Sequence, residues 1–155
     1  MKPRTLSSRF TVGVLTGLLL AGGVHATSAE HIRASHAWIR VLPGNLPAGA
    51  YVTLENDSDQ TATLSGASSA AYAEVMLHQS SNEGGISRMA MLDSLAIPAH
   101  GKVLLAPASY HLMLMKAAAP VKVGDTVRLT LKFTDGSTLA TDFIARPANA
   151  VDDSH

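Results

Sequence analysis

Hydrophobic and polar residues alternate in short runs along most of the chain after residue 30, without a sustained 3.6-residue helical period. The runs are separated by sequences rich in Gly, Pro, Asn and Asp, which recur at intervals of about 8–12 residues. Short alternating strands at this spacing are typical of a β-sandwich or a β-barrel. The pattern therefore predicts an all-β fold in a single domain.

Short strands are predicted wherever alternation is unbroken. The clearest pair is the last one, where Asp135-Gly136 joins two alternating segments in a hairpin. A second hairpin is predicted where residues 81–85 (SNEGG) connect two neighbouring segments. The predicted strands span residues 36–41, 50–55, 61–65, 73–78, 86–92, 102–105, 110–115, 126–133 and 138–144.

Alternation also predicts which side chains are buried. One side of the segment 126–133 is entirely apolar, and it is expected to face the interior. The lone Trp38 is predicted to fill the core, as a single Trp on an alternating strand usually does. The apolar side of the segment consists of Val127, Leu129, Leu131 and Phe133.

The first 29 residues have the features of a cleaved secretory leader. Basic residues precede an uncharged apolar run at 10–24, which is shorter than the roughly 20 residues that span a bilayer. Small residues then permit cleavage after Ala26 or after Ala29. We therefore predict export to the periplasm without membrane insertion, a domain at residues 30–146 and a flexible tail at residues 147–155.

Charge and cysteine content exclude several functions. The chain has twelve basic and twelve acidic residues, and the leader holds three of the basic ones, which leaves the mature chain a formal charge of −3. A negative domain does not suit nucleic acid or an anionic membrane as a partner. Because cysteine is absent, a lipid-modified cysteine and a thiolate nucleophile are excluded. Among the other residues, no arrangement typical of an enzyme active site stands out.

Methionine and histidine are concentrated in one part of the sequence. All five methionines after Met1 lie between Met76 and Met115, together with two histidines. If residues 110–115 are extended, one face carries Tyr, Leu and Leu, while the opposite face carries His111 and two thioethers. The same alternation places Met76 with His78, and Met89 with Met91.

This donor set favours monovalent copper. Thioether sulfur is soft and binds Cu(I) better than hard cations, and imidazole suits copper generally. Structural zinc sites use Cys, His and carboxylates, and a blue-copper centre requires a Cys ligand. The sequence therefore predicts a Cu(I) site on the face that carries these histidines and thioethers.

The spacing of these residues resembles the copper-binding motif of the periplasmic PCuAC copper chaperones. His78 is followed by ten residues and Met89, and then by twenty-one residues and His111-Leu112-Met113. The segments AGAYVTLEN at 48–56 and GDTV at 124–127 also resemble the family. The chain departs from it in the turn at 107–109 (PAS, where members commonly have Pro-Gly-Gly) and in a tail that offers only His155.

The resemblance implies a cupredoxin-like or immunoglobulin-like Greek-key β-sandwich. It further implies that one Cu(I) ion is held by His78, Met89, His111 and Met113 in a monomer that is not an enzyme. Family members are thought to deliver copper to the copper-bearing subunit of cytochrome c oxidase, alongside Sco-type thiol proteins. Met76, Met91 and Met115 are then expected to contribute packing.

Two other functions remain open from the sequence. One is copper buffering for tolerance, without a dedicated acceptor. The other is a structural or interaction β-sandwich in which the clustering of Met and His has no role in metal binding.

Overall fold

The computed structural model describes residues 26–152, so most of the predicted leader, and the tail from residue 153 through His155, lie outside the described residues. A short 3-10 turn, Ser28–His31, precedes the first strand. Within the described part no helix is long and apolar enough to cross a membrane. The strands are β1 (Ile32–Arg40), β2 (Ala48–Asn56), β3 (Ala62–Ser68), β4 (Tyr72–Glu83), β5 (Ile86–Met91), β6 (Leu95–Ile97), β7 (Lys102–Leu105), β8 (Tyr110–Ala117), β9 (Thr126–Phe133) and β10 (Thr138–Arg146).

The strands pair in the order β5-β4-β8-β7-β2-β1-β10-β9-β3-β6, and β8 also pairs with β2. β3 packs against β4, although the two belong to opposite ends of this order. The sheet therefore folds over on itself and encloses one continuous cluster of buried apolar residues. The all-β fold predicted from alternation, and the sandwich implied by the family resemblance, are confirmed.

The predicted strands are all present, and two differences have a local cause. β1 begins at Ile32, before the predicted start, because a bulge between Ser35 and Trp38 interrupts the alternation. His36 lies in this bulge with a φ of 51°. β6 was not predicted, since its three residues are too few to establish a period.

The burial of the apolar side of β9 and of Trp38 is as predicted, but Trp38 lies outside the main apolar cluster. All four apolar residues on one side of β9 are buried. Trp38 is also buried, but it lies opposite Tyr51 on β2, and its neighbour Ile39 points into the apolar cluster. The tryptophan therefore packs on the other face of the sheet, with Tyr51 at a ring-centroid distance of 4.5 Å and the guanidinium of Arg40 at 5.6 Å.

Candidate metal centre

The hairpin of β4 and β5 sets the position of the first donors. Gly84 and Gly85 form its two-residue turn with φ values of 59° and 78°, which L side chains rarely adopt. This turn fixes the register in which His78 lies directly opposite Met91. Met89 lies opposite Ser80 instead, so it is a diagonal neighbour of His78 across the strand pair.

β8 brings the remaining donors to the other side of β4. His78 is paired with His111, and Met76 is paired with Met113. Residues paired across antiparallel strands share a face, as do residues two apart along a strand. The five methionines after Met1 and the two histidines therefore lie on one face, called the Met/His face below, as alternation predicted.

Aromatic residues from β2 and β1 line one side of the Met/His face and form what is called the aromatic wall below. The ring of Tyr51 lies 6.4 Å from that of His111, and Trp38 stacks behind Tyr51. Gly49, which is paired with Met113, leaves room for this tyrosine, since a Cβ there would lie 2.6 Å from the tyrosine hydroxyl. His111 is consequently only 4% exposed.

The environment of His111 favours an imidazole that can bind a metal. Burial lowers its pKa, the hydrogen bond to the Ser109 carbonyl opposes this, and the nearby His78 lowers it further. Nδ1 lies 3.3 Å from that carbonyl oxygen, which can only accept a hydrogen bond, so Nδ1 carries the hydrogen. The lone pair of Nε2 is then available as a metal ligand.

His78 contributes a buried nitrogen without a hydrogen-bond partner. Its Nδ1 is buried and unpaired among the described residues. An unpaired buried polar atom is costly, and a bound ion is one of the explanations for finding one. Its ring meets the ring of His111 nearly edge-on, at a centroid distance of 5.6 Å and an angle of 76°.

This separation fits two imidazoles on one metal ion. A metal–nitrogen bond of about 2.0 Å places the ion about 3 Å from each ring centroid, so two rings on one ion lie about 5–6 Å apart. Within residues 26–152, no group of three or more His, Cys, Asp or Glu side chains is placed to hold a metal. The remaining donors on the face are thioethers, which favour a soft ion.

Sequence reasoning missed the aromatic wall and the pairing of Met91. In the structure the Tyr51 ring lies over Gly49, two residues earlier on β2, where any larger side chain would collide with it. The position of Met91 opposite His78 depends on the turn register. Counting residues along the chain does not reveal it.

Two further histidines lie away from this face. His31 pairs with Asp57 at 2.8 Å, and His100 pairs with Asp59 at 2.5 Å. Both histidines line a surface cleft of about 450 Å³ that does not include any residue of the Met/His face.

Comparison with protein families gives one match over most of the domain. The family described as "Putative lipoprotein LpqE-like" matches residues 32–144. A protein of Leifsonia xyli subsp. xyli, described as "Putative lipoprotein Lxx21020", is 34% identical over 111 residues. The matched region is 71% of this chain and 66% of that protein, so this chain spans about two thirds of its relative.

Solved structures with the same fold are PCuAC domains and a copper-binding protein. The solution structure of CuI-DR1885 from Deinococcus radiodurans has 36% identity and a TM-score of 0.60, covering 81% of this chain and 83% of that one. Its apo form has 31% identity and a TM-score of 0.59, covering 92% and 97%. The copper-bound PCuAC domain from PmoF2, at 24% identity and a TM-score of 0.65, covers 79% and 98% and shows the fold. The predicted resemblance to PCuAC proteins is confirmed.

Proposed function

Because this chain belongs to the LpqE-like family and shares its fold with PCuAC domains, we propose that it is an exported copper chaperone. It binds one Cu(I) ion through His78, Met89, His111 and Met113. The 36% identical relative whose title names Cu(I) supports the choice of metal. The proposed role is to bind and hand over the ion, without catalysis.

The observation that carries this proposal is the histidine pair beside the thioethers. Two imidazoles stand 5.6 Å apart, and one of them keeps a buried, unpaired nitrogen. Met113 is paired with Met76 on one side and with Gly49 on the other, which places its thioether on the Met/His face, two residues along β8 from His111. Met89 and Met91 are 53% and 66% exposed, which keeps this side of the site open to an acceptor.

The first test is Cu(I) uptake in competition with the chromogenic chelator bicinchoninate, followed by X-ray absorption of the loaded protein. We expect one Cu(I) per chain and a ligand shell that contains both nitrogen and sulfur. We also expect Met113→Leu to weaken binding by about 10–100-fold, because it removes a soft ligand while keeping the side-chain size.

Met115→Leu is the matched control. Met115 lies on the same strand and face but is paired with Glu74, away from the histidines. Its substitution should leave the affinity unchanged. A sulfur-free ligand shell, or equal losses in the two variants, would contradict the proposed ligand set.

Delivery to a dedicated acceptor distinguishes a chaperone from a buffer. We propose the copper-bearing subunit of cytochrome c oxidase as acceptor, with a Sco-type thiol protein assisting. The copper-loaded protein should fill the apo form of that copper domain faster than Cu(I) supplied from a chelator at the same free concentration. Equal rates would favour buffering.

Removal of the leader is proposed to occur between Ala26 and Thr27. Residues after this bond are already part of the fold: the Ser28 amide donates to Asp135, and the Ala29 amide donates to Ser137. Hydrogen bonds from the Ser137 hydroxyl and from the backbone amides of Ser28 and Ser137 hold the pKa of Asp135 well below its usual range. Cleavage after Ala29 would discard the segment that makes both contacts.

The mass of the exported protein tests this site. We expect a mature chain that begins at Thr27, whose backbone nitrogen lies 2.6 Å from the Glu30 carboxylate. A free amino group at that position would pair with the carboxylate. A mass that corresponds to a chain beginning at Glu30 would contradict the assignment.

A further inference from the structure

One row of paired residues crosses five strands on the Met/His face. Trp38 on β1 is paired with Tyr51 on β2, whose ring lies beside His111 on β8. His111 is paired with His78 on β4, which is paired with Met91 on β5. The row therefore leads from an aromatic wall, through both imidazoles, to a thioether.

Exposure rises steeply along this row. Trp38, Tyr51 and His111 are 4–6% exposed, and His78 is partly buried. Met91 is 66% exposed and belongs to β5, an edge strand in which every residue is exposed. The solvent-exposed end of the row is thus the flexible side chain of Met91, whose soft thioether lies directly opposite His78.

Resting on the proposed copper function, we propose that Met91 is the exchange ligand through which copper leaves the site. When a resident ligand is displaced, the thioether of Met91 binds the ion beside His78 and presents it at the sheet edge. No covalent bond is made or broken in the chain, and the ion remains Cu(I) throughout. The acceptor is a protein or chelator with soft or imidazole donors that can approach β5.

The neighbouring methionines do not share this position. Met89 lies opposite Ser80 and is itself proposed as a resident ligand. Met76 and Met113 form a separate pair next to the glycine of β2 and are partly buried. Only Met91, among the five methionines in the described residues, is directly paired with a histidine.

Stopped-flow transfer of Cu(I) from the full mature protein to bicinchoninate tests the assignment. In Met91→Leu we expect the second-order transfer rate to fall about tenfold while the equilibrium affinity changes less than about threefold. Met115→Leu, which alters a thioether on the same face away from the histidines, should change neither quantity.

The results of these measurements distinguish failure of the exchange role of Met91 from failure of the proposed copper function. A transfer rate unchanged in Met91→Leu overturns the exchange role and leaves the copper site intact. An affinity loss as large as the rate loss also overturns it, since Met91 would then be a resident ligand. Failure of the unsubstituted protein to take up Cu(I) removes the proposed function and this inference together.

Discussion

Replacing His111 with alanine is expected to abolish useful Cu(I) binding, with the affinity falling by about 100-fold or more. Loss of even an outer partner of a metal ligand typically costs about 10–100-fold, and His111 is proposed as a direct ligand. Its Nε2 is available because Nδ1 donates to the Ser109 carbonyl. Competition with bicinchoninate measures the loss.

His100→Ala is the matched control for this variant. His100 is exposed and paired with Asp59, in a part of the surface that does not include the Met/His face. Its substitution should leave the affinity unchanged. Because His111 is 4% exposed and packs near Tyr51, His111→Gln should also be measured to retain side-chain volume. Unchanged affinity in both His111 variants would contradict its role as a ligand.

Replacing Leu112 with alanine is expected to cost about 2–5 kcal/mol of unfolding free energy. Leu112 is fully buried and lies between the two proposed ligands of β8, pointing into the apolar cluster. It is paired with Leu77 on one side and with Ala50 on the other. Urea denaturation of the copper-free protein measures the change.

Met115→Ala provides the comparison for stability, because it shortens a partly exposed side chain on the same strand. A smaller cost than for Leu112→Ala is expected there, since part of the Met115 side chain remains in water in the folded state. Copper should recover part of the stability of Leu112→Ala, because an ion that binds only the folded state stabilises that state. Equal costs in the two variants would contradict the assignment of faces on β8.

Sequence alternation was sufficient to predict an all-β fold and the common face of the methionines and histidines. The period of two in β8 separates Leu112 and Leu114 from His111 and Met113 without any knowledge of neighbouring strands. The same reasoning predicted the full span of β9. These features depend only on local pattern.

Features that depend on pairing were not predictable in this way. The burial of His111 results from Tyr51 on another strand, and the place of Trp38 results from a bulge at His36 that shifts the phase of β1. The selection of Met89 over Met91 rested on spacing and stays a prediction. In the structure both methionines lie on the Met/His face, and Met91 is the one directly opposite His78.

The alternation along β8 also makes the proposed copper binding depend on correct folding. A slip of one residue in the pairing of β8 with β4 would turn every side chain to the opposite face. His111 and Met113 would then enter the apolar interior, and Leu112 and Leu114 would take their places outside. A mispaired molecule would thus lose the proposed copper ligands and its core together, so that only correctly folded copies would bind the ion.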